Sequence, residues 1–373
     1  MPELLTDCDP AAVICLAFFL IGACIGSFLN VVVYRMPRGM SVNKPARSFC
    51  PHCGKPIPWY LNIPIFSWLM LRGRGACCGQ PIAPRYVAVE LVCALLFAAT
   101  AWCFQGEELY VLLLLCLWLA CMLVCFCTDW ELMVVLPSLT VAATAAGLAV
   151  AWWAPWLLDA AAETPSEGLA LSAAGALGGM LLFRLVGLFG KLCFGRRSRR
   201  FEGARPWSLR QEGDDLRLQL GDESLLWSEL FMESSERLTL HAATEGAFSA
   251  EAAELVLTPE ALLLPGGRRV PLESVESLGG TCAGYGMARE AMGSGDAWLA
   301  MAIGALCGWQ GVLFSLVAGS FIGLAQAATA RLLSRAGKTP RLLPFGPALI
   351  TAAVVYLFYG VEIRAFAAAW YGF

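Results

Sequence analysis

Six side chains stand out for the chemistry they could do: two aspartates and four cysteines. Asp296 lies in "MGSGDAW", at the lip of a long apolar run, with Gly293 and Gly295 just ahead of it, and Asp129 lies in "CFCTDWELMVVLPS". Two carboxylates that share a site cannot easily both ionise, so one keeps a proton while the other serves as a base. Such a pair can activate a water against a peptide carbonyl, polarise the carbonyl oxygen and later protonate the leaving nitrogen. The two glycines would let a substrate backbone come close, since neither carries a side chain. Taken singly, each acid has a plainer reading. An aspartate at a helix start is favoured by the helix dipole and as an N-cap, and Asp129 with Glu131 could simply mark a loop between two spans. Acids brought together at membrane depth are what point to function.

The cysteines fall in a polar loop, "SFCPHCGKPIPWYLNIPIFSWLMLRGRGACCGQPIAPRY". Cys50 and Cys53 make a C-x-x-C, and after 23 intervening residues come the adjacent Cys77 and Cys78. Two thiolate pairs at such a spacing read as a four-cysteine structural zinc site. Adjacent thiolates reach one ion only with strain, and His52, between the first two cysteines, is expected to point away; unligated cysteines are the alternative. The remaining cysteines, among them Cys93, Cys116, Cys121, Cys125 and Cys307, sit inside apolar runs, where free cysteine packs as a small hydrophobe.

The elements that must position these residues follow from composition. The 373-residue chain is 58% hydrophobic and only 15% charged, against about a quarter charged in ordinary soluble chains, so a polytopic membrane protein is expected. Apolar runs of spanning length, roughly 17 to 25 residues, occur near 11–33, 86–104, 109–128, 132–153 and 169–193, with a longer run at 297–330 and another at 345–361. Lys and Arg crowd the 34–85 loop, the 194–289 loop and the loop after 330, while 105–108 and 154–168 carry acids and no Lys or Arg. The basic loops are therefore assigned to the cytoplasm. With basic loops on both sides, 297–330 must cross an even number of times, as two short helices turning near Trp309-Gln310-Gly311. The expected fold is thus an all-α polytopic membrane protein of about eight transmembrane helices, with both termini outside. That threading returns Asp129 and Asp296 to the same, cytoplasmic face.

Two insertions interrupt the membrane pattern. The expected division is 1–33 as the first transmembrane helix, 34–85 as a small Cys-containing cytoplasmic domain, 86–194 as helices two to five, 195–288 as an inserted cytoplasmic β-rich module, and 289–373 as the Asp296 segment with helices six to eight. In 195–288 the period-two stretches "LRLQL" (216–220), "RLTL" (237–240) and "ELVL" (254–257) suggest half-buried strands, and "LPGGRRVPL" (264–272) reads as a hairpin turn.

These blocks resemble the prepilin peptidase (type IV leader peptidase) family, the bacterial GxGD membrane aspartic proteases. "GSFLNVVVYRMPRG" (26–39), "CPHCGKPIPWYLNIPIFSWL" (50–69) and "PIAPRYVAVE" (81–90) are similar to its amino-terminal domain, "REAMGSGDAWLAMAIGALCGWQG" (289–311) to its G-x-G-D segment, and "PFGPAL" (344–349) to the start of its last helix. The resemblance implies an aspartic endopeptidase in the bacterial cytoplasmic (inner) membrane. Its substrates would be type IV prepilins and pseudopilins, whose short basic leader it would cleave at the cytoplasmic face. It also implies methylation of the new amino terminus from S-adenosylmethionine, Asp129 and Asp296 as the catalytic pair, and zinc held among Cys50, Cys53, Cys77 and Cys78. Beyond substrates and membrane lipids no nucleic-acid partner is expected. This chain departs from the pattern at the second cysteine pair, where Gly75 stands at the partner position of Cys78; either Cys77 compensates or the metal is lost. It departs also in having Ser138 after Pro137, where an acid is usual, and in the 195–288 module, for which an influence on substrate docking is expected. The competing reading is a non-enzymatic transporter or secretion-assembly scaffold using Asp129 and Asp296 as proton or ion sites.

Overall fold

The computed structural model describes residues 9–44, 48–50, 52–194, 196–212, 215–221, 223–230, 237–245, 250–258, 261–263, 269–271, 277–288, 293–333 and 344–371. They form two compact units: Met1–Leu182 with Gly295–Phe373, and Phe183–Ser294.

The first unit is helical. Helix α1 (Pro10–Arg35) starts on Asp9, whose carboxylate accepts the Ala11 N–H at 3.0 Å, with Pro10 at the first helical position, the arrangement expected of an N-cap followed by a residue that needs no donor. A short α2 (Phe66–Met70) lies in the loop that leads to α3 (Arg85–Cys103). Helices α1 and α3 pack through a small-xxx-small pair: a Cβ on Gly22 would stand 2.8 Å from Ala94 Cα, and one on Gly26 2.7 Å from Glu90 Cα. Where lipid gives helices no hydrophobic reason to associate, such close backbone approach supplies the packing. Helix α4 (Leu109–Leu132) is the buried centre, and its Trp118 donates from Nε1 to Ala302 O at 3.0 Å. Then follow α5 (Pro137–Trp153) and α6 (Pro165–Phe194). Six helices are long and apolar enough to cross a membrane, and α5 is a shorter apolar helix. Leu177, Leu181, Phe321, Leu324 and Phe366 stand exposed on the helical surface, as lipid-facing side chains do.

The long apolar run forms one element with a break. Helix α8 (Ser294–Leu333) leaves helical geometry at Gly308, where φ is 65° and ψ is −176°. A Cβ on Gly179 of α6 would meet both Ala300 O (2.6 Å) and Val312 Cγ2 (3.0 Å). On a straight helix those two residues would lie about 18 Å apart. The two arms therefore fold back at Gly308, one residue before the turn expected at 309–311. Helix α9 (Gly346–Tyr371) closes the unit, with a local distortion at Tyr359.

The second unit carries an antiparallel eight-stranded sheet, in the order β3-β2-β1-β8-β4-β5-β6-β7. Strand β1 is Arg196–Glu212, β2 Asp215–Leu220, β3 Glu223–Leu226, β4 Arg237–Glu245, β5 Ala250–Leu257, β6 Ala261–Leu263, β7 Arg269–Pro271 and β8 Ser277–Ala288, with a one-turn helix α7 (Trp227–Leu230) after β3. Alternate side chains make its core, including Trp207 and Leu209, Leu218 and Leu220, Leu238 and Leu240, and Leu255 and Leu257. The three alternating stretches of the sequence thus lie in β2, β4 and β5. For "LPGGRRVPL", β6 and β7 pair antiparallel with Leu263 opposite Arg269; the turn between them, 264–268, lies outside the described residues.

Candidate active site and cysteine cluster

Asp129 occupies the last turn of α4 rather than a loop. It is buried, at 7% exposure, and the helix ends four residues later when Met133 turns left-handed (φ 54°) and returns its N–H to Asp129 O at 2.9 Å. Among the described residues Oδ2 of Asp129 has no hydrogen-bond partner, although buried polar atoms are nearly always paired. Glu131, by contrast, is a tie: it pairs with Arg85 at the start of α3 at 3.0 Å.

Asp296 is in the first turn of α8 and half-exposed. Two contacts fix that turn against the end of α4. A Cβ on Gly295 would stand 2.8 Å from Val135 Cβ, in the short link between α4 and α5, so the glycine before Asp296 is needed for packing as much as for access. One turn further on, Leu299 lies 3.0 Å from where a Cβ on Gly346 would stand, and that same Cβ would collide with Oδ2 of Asp129. The start of α9 therefore closes over Asp129, with the opening turns of α8 beside it. Gly346 lies in the quoted "PFGPAL", yet its tie to Asp129 was not read from the sequence. A glycine at the head of a helix was the available signal, but it does not name what the missing side chain makes room for.

The four cysteines converge. Cys53 and Cys77 Sγ are 3.4 Å apart, Cys50 and Cys78 Sγ 3.7 Å, and all four sulfurs lie within 4.8 Å of one another. Zn–S bonds of about 2.3 Å in a tetrahedron put sulfurs roughly 3.8 Å apart, so the cluster has the dimensions to hold a metal ion. Two small turns of matching design supply them. Phe49 bridges Pro56 around the first and Arg74 bridges Pro81 around the second. Gly54 N–H reaches Cys50 O (2.8 Å) in one, and Gly79 N–H reaches Gly75 O (2.7 Å) in the other. Both glycines are left-handed, at φ +70° and +69°, a conformation that costs glycine little. Superposed turn on turn, Cys78 matches Cys53 and Gly75 matches Cys50; Cys77 brings its sulfur to the cluster from a different position. Against the upward pull of burial, the backbone N–H groups of Cys53 and His52 and the thiols of Cys77 and Cys78 hold the Cys50 thiol down to about 6. Hydrogen bonding with Cys53, then with Cys50, pushes Cys77 up to about 12. Thiols this close together form a donor set on which a soft divalent cation would replace the protons.

Comparison with known proteins places these features. The model of the bacterial peptidase A24 N-terminal domain matches residues 20–104, and that of the type IV leader peptidase family matches residues 237–328. The cysteine cluster lies in the first stretch and Asp296 in the second, whereas Asp129 falls between them. A prepilin leader peptidase/N-methyltransferase of Myxococcus xanthus is 38% identical over 184 residues, covering 48% of this chain and 50% of the relative. Proteins of the same name from Klebsiella pneumoniae and Pseudomonas putida are 47% and 35% identical over 90 and 173 residues, covering 22% and 40% of this chain and 39% and 58% of the relative. The matches thus span little more than half the length of these relatives at most. No solved structure matches.

Proposed function

This chain belongs to the type IV leader peptidase family, and from that premise we propose that it is a membrane aspartic endopeptidase cutting the basic leader from type IV prepilins or pseudopilins. The observation that carries the reading is the buried, unpartnered Oδ2 of Asp129, set under Gly346 beside the first turns of α8 that bear Asp296. In the proposed reaction the ionised aspartate takes a proton from a water, and the water oxygen bonds to the scissile carbonyl carbon. The protonated partner stabilises the carbonyl oxygen. The C–N bond then breaks as the leaving nitrogen takes a proton from the pair, which restores one shared proton. Asp129→Asn and Asp296→Asn, assayed for leader cleavage in membranes, are each expected to abolish processing; full cleavage by either would overturn the assignment.

The same reading includes methylation of the freed amino terminus, the second activity in the names of the relatives. S-adenosylmethionine is the proposed donor, and when bound it would supply an electrophilic methyl group for the freed amine. Zinc is the proposed ion for Cys50, Cys53, Cys77 and Cys78; when bound it supplies a structural clasp between the two turns. For topology we propose eight spans with α5 and both arms of α8 counted. The basic loops, the Cys-containing domain (34–85) and the module (195–288) would lie in the cytoplasm, and the active site at the cytoplasmic face of the inner membrane. The module is assigned an influence on substrate docking.

A further inference from the structure

Residues 56–71, "PIPWYLNIPIFSWLML", carry no Asp, Glu, Lys or Arg, although they lie inside the 34–85 loop assigned to the cytoplasm. Many of their large side chains are also uncovered. Trp59 is 82% exposed, and Tyr60, Phe66, Leu69 and Met70 are each more than half exposed. Apolar side chains massed in this way mark a surface that something covers. Helix α2 turns one side inward, where Ser67 is buried and Trp68 donates from Nε1 to Ile82 O at 3.3 Å. Phe66, Leu69 and Met70, at i, i+3 and i+4, share the outer side.

The depth of this face along the spanning helices says what covers it. Helix α3 has 19 residues, about 28 Å at 1.5 Å each, which matches the thickness of a hydrocarbon core. Glu90 lies five residues in from Arg85, about 7.5 Å along the axis, and its Oε2 accepts the Ile65 N–H at 2.6 Å. The start of α2 is thus held beside the opening turns of α3, not beyond its end. Ile65 is strained there, at φ 64° and ψ −53°, in a γ-turn of the rare hand closed by the Phe66 N–H on Pro64 O at 2.6 Å. A carboxylate in an apolar helix is costly, and this one takes up a main-chain donor that the turn leaves without a carbonyl. The rest of the segment satisfies itself. The N–H groups of Leu61, Asn62, Ser67, Leu69, Leu71 and Gly73 all reach carbonyls within 58–68. That of Ile63 reaches Ser67 Oγ at 3.0 Å, and Pro64 has none. Irregular backbone in contact with lipid must be closed in this way, because no water is there to accept its protons.

We propose that residues 56–71 dip into the cytoplasmic leaflet as an interfacial anchor. Phe66, Leu69 and Met70 stand among acyl chains, and Trp59 and Tyr60 lie at headgroup level, where amphipathic rings settle. Lys55 at one end and Arg72 and Arg74 at the other, all exposed, meet the lipid phosphates. The two cysteine turns, just outside these cations in sequence, are thereby held against the membrane surface. The proposal takes from the topology above only which leaflet is meant, and it stands apart from the peptidase reading.

The test uses the purified full chain in vesicles of phosphatidylethanolamine and phosphatidylglycerol. A photoreactive benzophenone amino acid is placed at position 66, at 69 or, as the control, at 44. Phe66, Leu69 and Lys44 are all exposed, and thermal unfolding reports that each labelled chain is folded. After irradiation, mass spectrometry reads the adducts, and fragmentation of the lipid locates the modified carbon. Acyl-chain adducts are expected at 66 and 69, with none at 44. Adducts on headgroup carbons alone would overturn the proposal in favour of contact at the surface. Adducts joining two copies of the chain, or formed only with an added prepilin, would overturn it in favour of self-association or substrate docking. No adduct at either 66 or 69, or equal acyl labelling at 44, would overturn it as well.

Discussion

At the scale of single residues, the site depends on atoms that are not there. Gly346 has no Cβ, and the space where one would stand holds Oδ2 of Asp129. Gly346→Ala is therefore expected to cut leader cleavage at least about tenfold, because a misplaced reacting group costs rate steeply, while bound zinc stays at the wild-type level; both are measurable on one membrane preparation. Cys77 invites the reciprocal test. On the zinc reading, Cys77→Ala should lose the metal and Gly75→Cys added to it should restore the ion, since a Cβ at 75 would stand 3.6 Å from both Cys78 Sγ and Gln80 O, ordinary van der Waals contact. Metal analysis of the two chains decides it. The convergence of the four cysteines was legible, because residue type and paired spacing along the loop point to one cluster. The place of Gly346 over Asp129 was not legible. What singles it out is a contact made across helices, and no spacing along the chain encodes that.

At the scale of elements, α8 shows what charge bookkeeping can and cannot read. Basic loops on both sides lead to the expectation of an even number of crossings, and the run of uninterrupted hydrophobicity folds back at Gly308. The pivot itself was legible to within a residue, because glycine is the residue that reaches φ of +65° without strain. The packing that holds the hairpin was not. Gly175 on α6 and Gly304 on the first arm of α8 face each other so closely that a Cβ on either would collide with the backbone of the other, whereas a Cβ at Gly308 would have only Leu158 near it, at 3.9 Å. Two costs follow. Gly308→Ala should lose about 1–3 kcal/mol, because φ 65° with ψ −176° is a backbone conformation that essentially only glycine adopts. Gly175→Ala and Gly304→Ala should each lose about 1–3 kcal/mol or beyond, because the helices must move apart. Thermal unfolding in detergent reads all three variants, and wild-type stability in any of them would contradict this account.

At the scale of the whole molecule, the proposed topology can be checked without any assay of function. Alkaline phosphatase fused after Gln310, at the tip of the α8 hairpin, is expected to be active outside the membrane, and the same enzyme fused after Leu333 to be inactive. The helical body was the most legible part of the molecule, since spans announce themselves by length and hydropathy. The sheet was legible only in patches. Strands β2, β4 and β5 alternate cleanly, but β8 reads "SLGGTCAGYGMA", and its glycines hide a long central strand that pairs with β1 on one side and β4 on the other.

That pairing of β1 with β8 has a consequence for how such a chain can be taken apart. Arg196 and Ala288, the first and last residues of the sheet, are opposite each other on one rung of the ladder, about 5 Å apart by the geometry of antiparallel pairs. The module therefore leaves and rejoins the chain at a single point, so one recombination event can add or remove it whole. The splice works in both directions. A short linker across that rung should leave a helical protein that still inserts and keeps its four-cysteine cluster, and the excised sheet, its own ends already neighbours, is a candidate for expression as a backbone-cyclised domain.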